Sequence, residues 1–215
     1  MVKINKSDLP DGVKITRDKD LDGTGPVWET LLNDCNEKCY ICENNDLTDI
    51  EIEHIVPWRG DNAKKFDWNN LLLACSNCNK IKGERNILNP VKDNPELHIA
   101  LELDFADSSF YILVSRLDSN KETNRTEKLL NSIYNGDNTA DRNRKNVHAT
   151  NLRKKISKEL AKFYVEIAKY KNAPDLHVRV ISDAIKTSSV FAAFKRKMVR
   201  DDAELYKDFA KEIDE

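Results

Sequence analysis

Two cysteine pairs, Cys39-x-x-Cys42 and Cys75-x-x-Cys78, bracket 32 residues, and inside the bracket a glutamate and a histidine stand side by side in Glu53-His54-Ile55-Val56-Pro57. Cysteines in C-x₂-C spacing suit zinc, and two pairs complete its tetrahedral set of four. A closed four-cysteine site leaves no position for substrate. Zinc there would hold the fold without doing chemistry, contributing on the order of 10 kcal/mol to folding. The bracket is longer than the commonest zinc-site spacing, so it contains an insertion. A fifth cysteine, Cys35, precedes Cys39 by four residues and is expected to be a small buried side chain. His54 shares parity with Ile50 and Ile52 on an alternating stretch. A lone histidine there would read as a core residue with one hydrogen bond, but Glu53 beside it and Asn79 next to Cys78 give it company.

These groups need elements to position them. "PVWETLLNDCNEKC" predicts a short helix, with Pro26 in its first turn and Trp28, Leu31, Leu32 and Cys35 on one side. "DIEIEHIVP" alternates like a strand, "RGDNAKKFDWNN" is a polar loop, and "LLLA" is a short buried strand. Residues 78–85 then predict a helix stopped near Gly83. Before them, "DLPDG" and "DLDGTG" are turn signals, so residues 1–25 are expected to wrap the surface. After them, residues 97–117 predict a hairpin about a polar "ADSS", and residues 120–146 a loop region with one helix at "TEKLLNSIY".

The pattern then changes. Leu152, Ile156, Leu160, Phe163, Ile167 and Tyr170 follow one another at intervals of 4, 4, 3, 4 and 3, the seam of a long helix that Pro174 ends. One or two further helices carry Phe191, Phe194 and Met198, then Leu205, Phe209 and Ile213. The fold class is α+β: a cysteine-bearing unit over residues 1–120 with its core motif at 39–85, followed by a helical region over 121–215. The basic run 195–197 reads as a solvated helix face or a DNA-facing patch.

Composition sets limits. With 40% hydrophobic and 33% charged residues the chain can bury a core and is not disordered. Its net charge is −2, whereas a free-standing DNA binder is usually basic, so any grip on nucleic acid must be local or supplied by a partner. No apolar run is long enough to span a membrane, and the first residues lack a signal peptide's apolar core. The expected location is cytoplasmic, where thiols stay reduced and favour metal over disulfides.

In its cysteine pairs, "EHIVP", Asn70-Leu71, Asn79 and Lys82, the chain resembles the HNH endonuclease family, in the cysteine-bearing ββα-metal branch. The resemblance implies a zinc-stapled ββα core that hydrolyses DNA and leaves 5′-phosphate and 3′-hydroxyl ends. It implies His54 as general base, Glu53 and Asn79 as oxygen ligands of a catalytic Mg²⁺ or Mn²⁺, and Asn70 pinning the loop that aims His54. Lys82, Arg59 and Arg85 become candidates for phosphate contacts. The family usually has aspartate at Glu53 and often histidine at Asn79. Neighbours on a regular strand face opposite ways, so the strand is expected to break between Glu53 and His54; a regular strand through both would count against catalysis. "MVKINKSDLP", "CYICE" and "NPVKDNPELHIALEL" further resemble the HNH subunits of Septu-type and retron-associated anti-phage systems, which work with an ABC/SMC-like ATPase. That partner would present DNA, and the helical half would either dock it or be an ordinary hydrophobic seam closing its own core. The rival reading is a non-catalytic zinc module that binds nucleic acid or protein. It needs the cysteines but not Glu53, His54 and Asn79 together.

Overall fold

In the computed structural model, residues 1–47, 49–104, 110–136 and 142–214 are described, with side chains of 142–146 excepted. The chain is α+β. Helix α1 (Gly25–Asp34) leads to the first cysteine pair, with Pro26 in its first turn. Val27, Leu31 and Asp34 are its buried positions. Strand β1 (Ile50–His54) runs out to a loop holding the one-turn helix α2 (Asn62–Lys65), capped by Asp61. Strand β2 (Leu71–Cys75) returns antiparallel, pairing Ile50 with Cys75 and His54 with Leu71. Helix α3 (Ser76–Lys82) follows at once and stops at Gly83, whose φ of +51° favours glycine. β2 packs against both α1 and α3 and is buried along its whole length, hence a continuous apolar run where β1 alternates.

The hairpin is β3 (Ile99–Asp104) with β4 (Tyr111–Arg116); its expected "ADSS" turn lies outside the described residues. Helix α4 (Lys121–Asn135) packs on β4 and is longer than the sequence suggested. The long helix α5 (Arg142–Asn172) ends just before Pro174, and α6 (Pro174–Ile185), α7 (Ala192–Asp201) and α8 (Ala203–Asp214) follow. Sequence periodicity gave no sign of α6, which buries only Ile181 and Ile185.

Two expectations are corrected. The N-terminal segment does not merely wrap the surface: Met1, Val2, Ile4 and Ile15 are buried in the main core, and the Met1 amine pairs with Glu43 at 2.6 Å. Nor are residues 195–197 a solvated or DNA-facing patch. Lys195 is buried on Glu159 at 2.8 Å, and Lys197 pairs with Glu102 and Asp201. Arg196, 2% exposed, grips Glu96 at 2.8 Å and the carbonyls of Ile185, Glu212 and Ile213. Lys195 and Arg196 are held inside because each finds an opposite partner.

The seam of α5 divides. Leu152, Ile156 and Leu160 join Phe191, Phe194 and the cysteines in one core. Phe163, Ile167 and Tyr170 join Ile181, Ile185, Val199, Leu205, Phe209 and Ile213 in a second.

Candidate active site

The cysteine pairs meet because the turn carrying the first lies along β2, where the Tyr40 N–H donates to the Leu73 carbonyl at 2.9 Å. Cys75 ends β2 and Cys78 sits in the first turn of α3. The four sulfurs lie within 4.8 Å of one another, all buried. Burial pushes the Cys39 thiol up, but hydrogen bonds from Cys42, Cys75 and Cys78 outweigh it and hold it well below the usual thiol range. Sharing with Cys39 in turn pushes Cys42 and Cys78 up. Four buried sulfurs gathered within 4.8 Å have the donor set and closure of a structural zinc site, and these residues could hold that ion. Cys35 is not a fifth ligand. It is buried, its thiol is pushed up to about 12 by that burial, and it accepts from the Leu73 N–H at 3.4 Å.

On the face of β1 covered by α3, two rungs join strand and helix. Glu51 accepts from Ser76 Oγ at 2.5 Å and from Asn79 Nδ2 at 2.7 Å. Glu53 accepts from Lys82 Nζ at 2.6 Å, and the same ammonium reaches the His54 carbonyl at 2.7 Å. Alternation sets Glu51 and Glu53 on one face, and one helical turn sets Asn79 and Lys82 to meet them. Burial raises the Glu53 carboxyl above its usual range, against the opposing pull of Lys82.

The expected strand break is absent. Glu53 pairs with Leu72 and His54 with Leu71, and the Ile55 N–H continues the ladder to the Asn70 carbonyl at 2.9 Å. The two side chains therefore start from opposite faces. The five buried β2 residues pair with β1 along its whole length and hold it regular to its end. The His54 backbone N–H adds a smaller pull that favours the ionised Glu53 carboxyl.

On the other side, His54 Nε2 lies 3.0 Å from the Lys65 carbonyl. A carbonyl only accepts, so Nε2 carries the proton and Nδ1 keeps the basic lone pair. The loop presenting that carbonyl is pinned by Asn70, which is buried. Asn70 Oδ1 accepts from the Val56 N–H at 2.8 Å, and Nδ2 donates to the Val56 and Lys64 carbonyls at 2.8 and 3.0 Å. Lys6 steadies the facing strand, donating to the Leu71 carbonyl and lying over the Trp68 ring at 3.8 Å.

Lys82 is a correction among the expected phosphate contacts: it is fully buried and spent on Glu53, because an ammonium is needed beside that buried carboxylate. Arg59 and Arg85 stay exposed, and with Arg125 and Lys128 of α4 they line a cavity of about 330 Å³. Sequence reasoning missed Glu51 and Ser76. The signal was available, since Glu51 shares parity with Glu53. It also missed Arg125 and Lys128, which no local pattern links to the motif.

A relative from Bacillus thuringiensis, named Septu protein PtuB, is 34% identical over 79 residues, covering 33% of this chain and 31% of that protein. The chain thus spans about a third of the length of the curated relative it matches. No solved structure matches. Residues 39–85, the segment that carries all four clustered cysteines and the ββα unit, match the family model of the HNH endonucleases.

Proposed function

We propose that this chain is a divalent-metal-dependent HNH endonuclease that hydrolyses DNA phosphodiester bonds, the nuclease effector of an anti-phage defence complex with an ABC/SMC-like ATPase. The observation that carries the reading is the aimed imidazole. His54 is fixed through Nε2 by the Lys65 carbonyl, on a loop that Asn70 pins at the neighbouring Lys64 carbonyl, leaving Nδ1 to take the proton of an attacking water. Glu53 and Asn79 are oxygen donors suited to Mg²⁺ or Mn²⁺, which when bound would stabilise charge on the phosphoryl and leaving 3′ oxygens. Lys82 anchors Glu53 in place. Arg59, Arg85, Arg125 and Lys128 hold the phosphate backbone beside the site. Similarity to a protein named Septu protein PtuB supports the defence role, and the near-neutral charge fits a partner that presents the DNA. Residues 121–215 supply the docking surface for that partner.

One observation favours a second reading, a non-catalytic zinc module: the regular strand starts Glu53 and His54 on opposite faces. A cleavage assay separates the two. Zinc-loaded chain, alone and with its ATPase, is incubated with plasmid DNA and Mg²⁺ or Mn²⁺ beside His54→Ala, with circular dichroism to establish folding. Cutting by wild type and none by the folded variant supports the nuclease. No cutting in either setting, with DNA still bound, supports the module.

A further inference from the structure

An asparagine amide has two ends, and only its oxygen can ligate a cation. Which end of Asn79 faces outward is decided by Glu51. Glu51 Oε2 lies 2.7 Å from Asn79 Nδ2, and an ionised carboxylate can only accept, so the NH₂ end is committed to Glu51 and Oδ1 is left for another partner. Glu51 is itself fixed twice. Its backbone is paired with Ala74 in the β1–β2 ladder, and its other oxygen accepts from Ser76 Oγ at 2.5 Å. The relay runs from Ser76 through Glu51 to Asn79, so both ends of it stand on one face of α3, at i and i+3.

We infer that Glu51 is a positioning residue of the divalent-ion site. It sets the Asn79 amide so that the carbonyl oxygen, not the NH₂, is offered to the cation. The inference rests on the proposed nuclease reading, in which Asn79 is a ligand. It assigns no ligand bond to Glu51.

The test is Mn²⁺ binding to the zinc-loaded full chain, followed by electron paramagnetic resonance, in a cycle of Glu51→Met with Asn79→Asp. An aspartate at that position has oxygen at both ends and needs no orienting. Glu51→Met should weaken Mn²⁺ binding about tenfold, or about 1.4 kcal/mol, when Asn79 is present. In the Asn79→Asp chain the same substitution should change it by less than about twofold. Equal losses in both backgrounds would mean that Glu51 acts by charge alone and would overturn the inference, as would no loss in either. A parent chain whose Mn²⁺ binding ignores Glu53→Ala would instead overturn the ion-site reading itself. Circular dichroism establishes that each variant is folded.

Discussion

Replacing Asn70 by alanine removes three hydrogen bonds at once from a side chain only 6% exposed. Each such bond contributes about 0.5–1.5 kcal/mol net, and each partner stranded away from water costs about 1–3 kcal/mol. Val56 and Lys64 lie on a partly exposed loop that water can reach, so the stranding cost is only partly realised. The expected destabilisation is about 2–4 kcal/mol. The loop also carries the Lys65 carbonyl that holds His54, so cleavage should fall further than the folded fraction, by about 10²-fold for an imidazole displaced by an ångström. Asn70→Asp sharpens the test. It keeps the acceptor for the Val56 N–H but turns a negative oxygen toward the Val56 and Lys64 carbonyls, so it should be no more stable than Asn70→Ala. Urea unfolding of the zinc-loaded chain, read by circular dichroism, gives the free energies. Asn70→Ala within about 0.5 kcal/mol of wild type, the range of an ordinary surface change, would refute the pinning argument.

Lys82→Met strands the buried Glu53 carboxylate and should cost about 3–5 kcal/mol in the same unfolding measurement, with much of the loss recovered in Lys82→Met/Glu53→Gln; a single variant as stable as wild type would mean the pair does not hold the helix to the strand. Stripping zinc with a chelator should unfold the main core cooperatively, because the cysteines share it with Leu31, Leu71 and Ile156; a chelator-treated chain with unchanged melting temperature and undiminished helical signal would contradict a structural ion. Burial lowers the Lys6 amine from 10.5 to about 8, against the pull of Cys35, Asp34 and Asp67. The folded state therefore binds fewer protons than the unfolded between those values, and the contribution of this group to stability rises with pH across the window. Wild type should gain stability relative to Lys6→Met from about pH 8 to 10.5 in unfolding titrations, and a flat difference would show that Lys6 is not desolvated.

The local elements were legible because their causes are local. Pro26 starts α1, Gly83 stops α3, alternation marks β1, and the even apolar seam marks α5 up to the break before Pro174. The zinc set was legible for the same reason, since ligand spacing is itself a local pattern. Parity alone could have placed Glu51 with Glu53 and against His54. The strand was nevertheless expected to break, because the chemistry asked for both side chains on one ion and the sequence cannot weigh that against five intact ladder pairs. What only the tertiary structure decided are matters of long-range partnership. Lys82, Lys195 and Arg196 read as surface cations and proved to be buried, because carboxylates 29, 36 and 100 residues away meet them. Likewise α4 brings Arg125 and Lys128 to Arg59 and Arg85, and Lys65 lends His54 a carbonyl rather than its charge. A charged residue's place is set by the desolvation cost of burial against the partner that offsets it, and that partner is named only when the chain has folded.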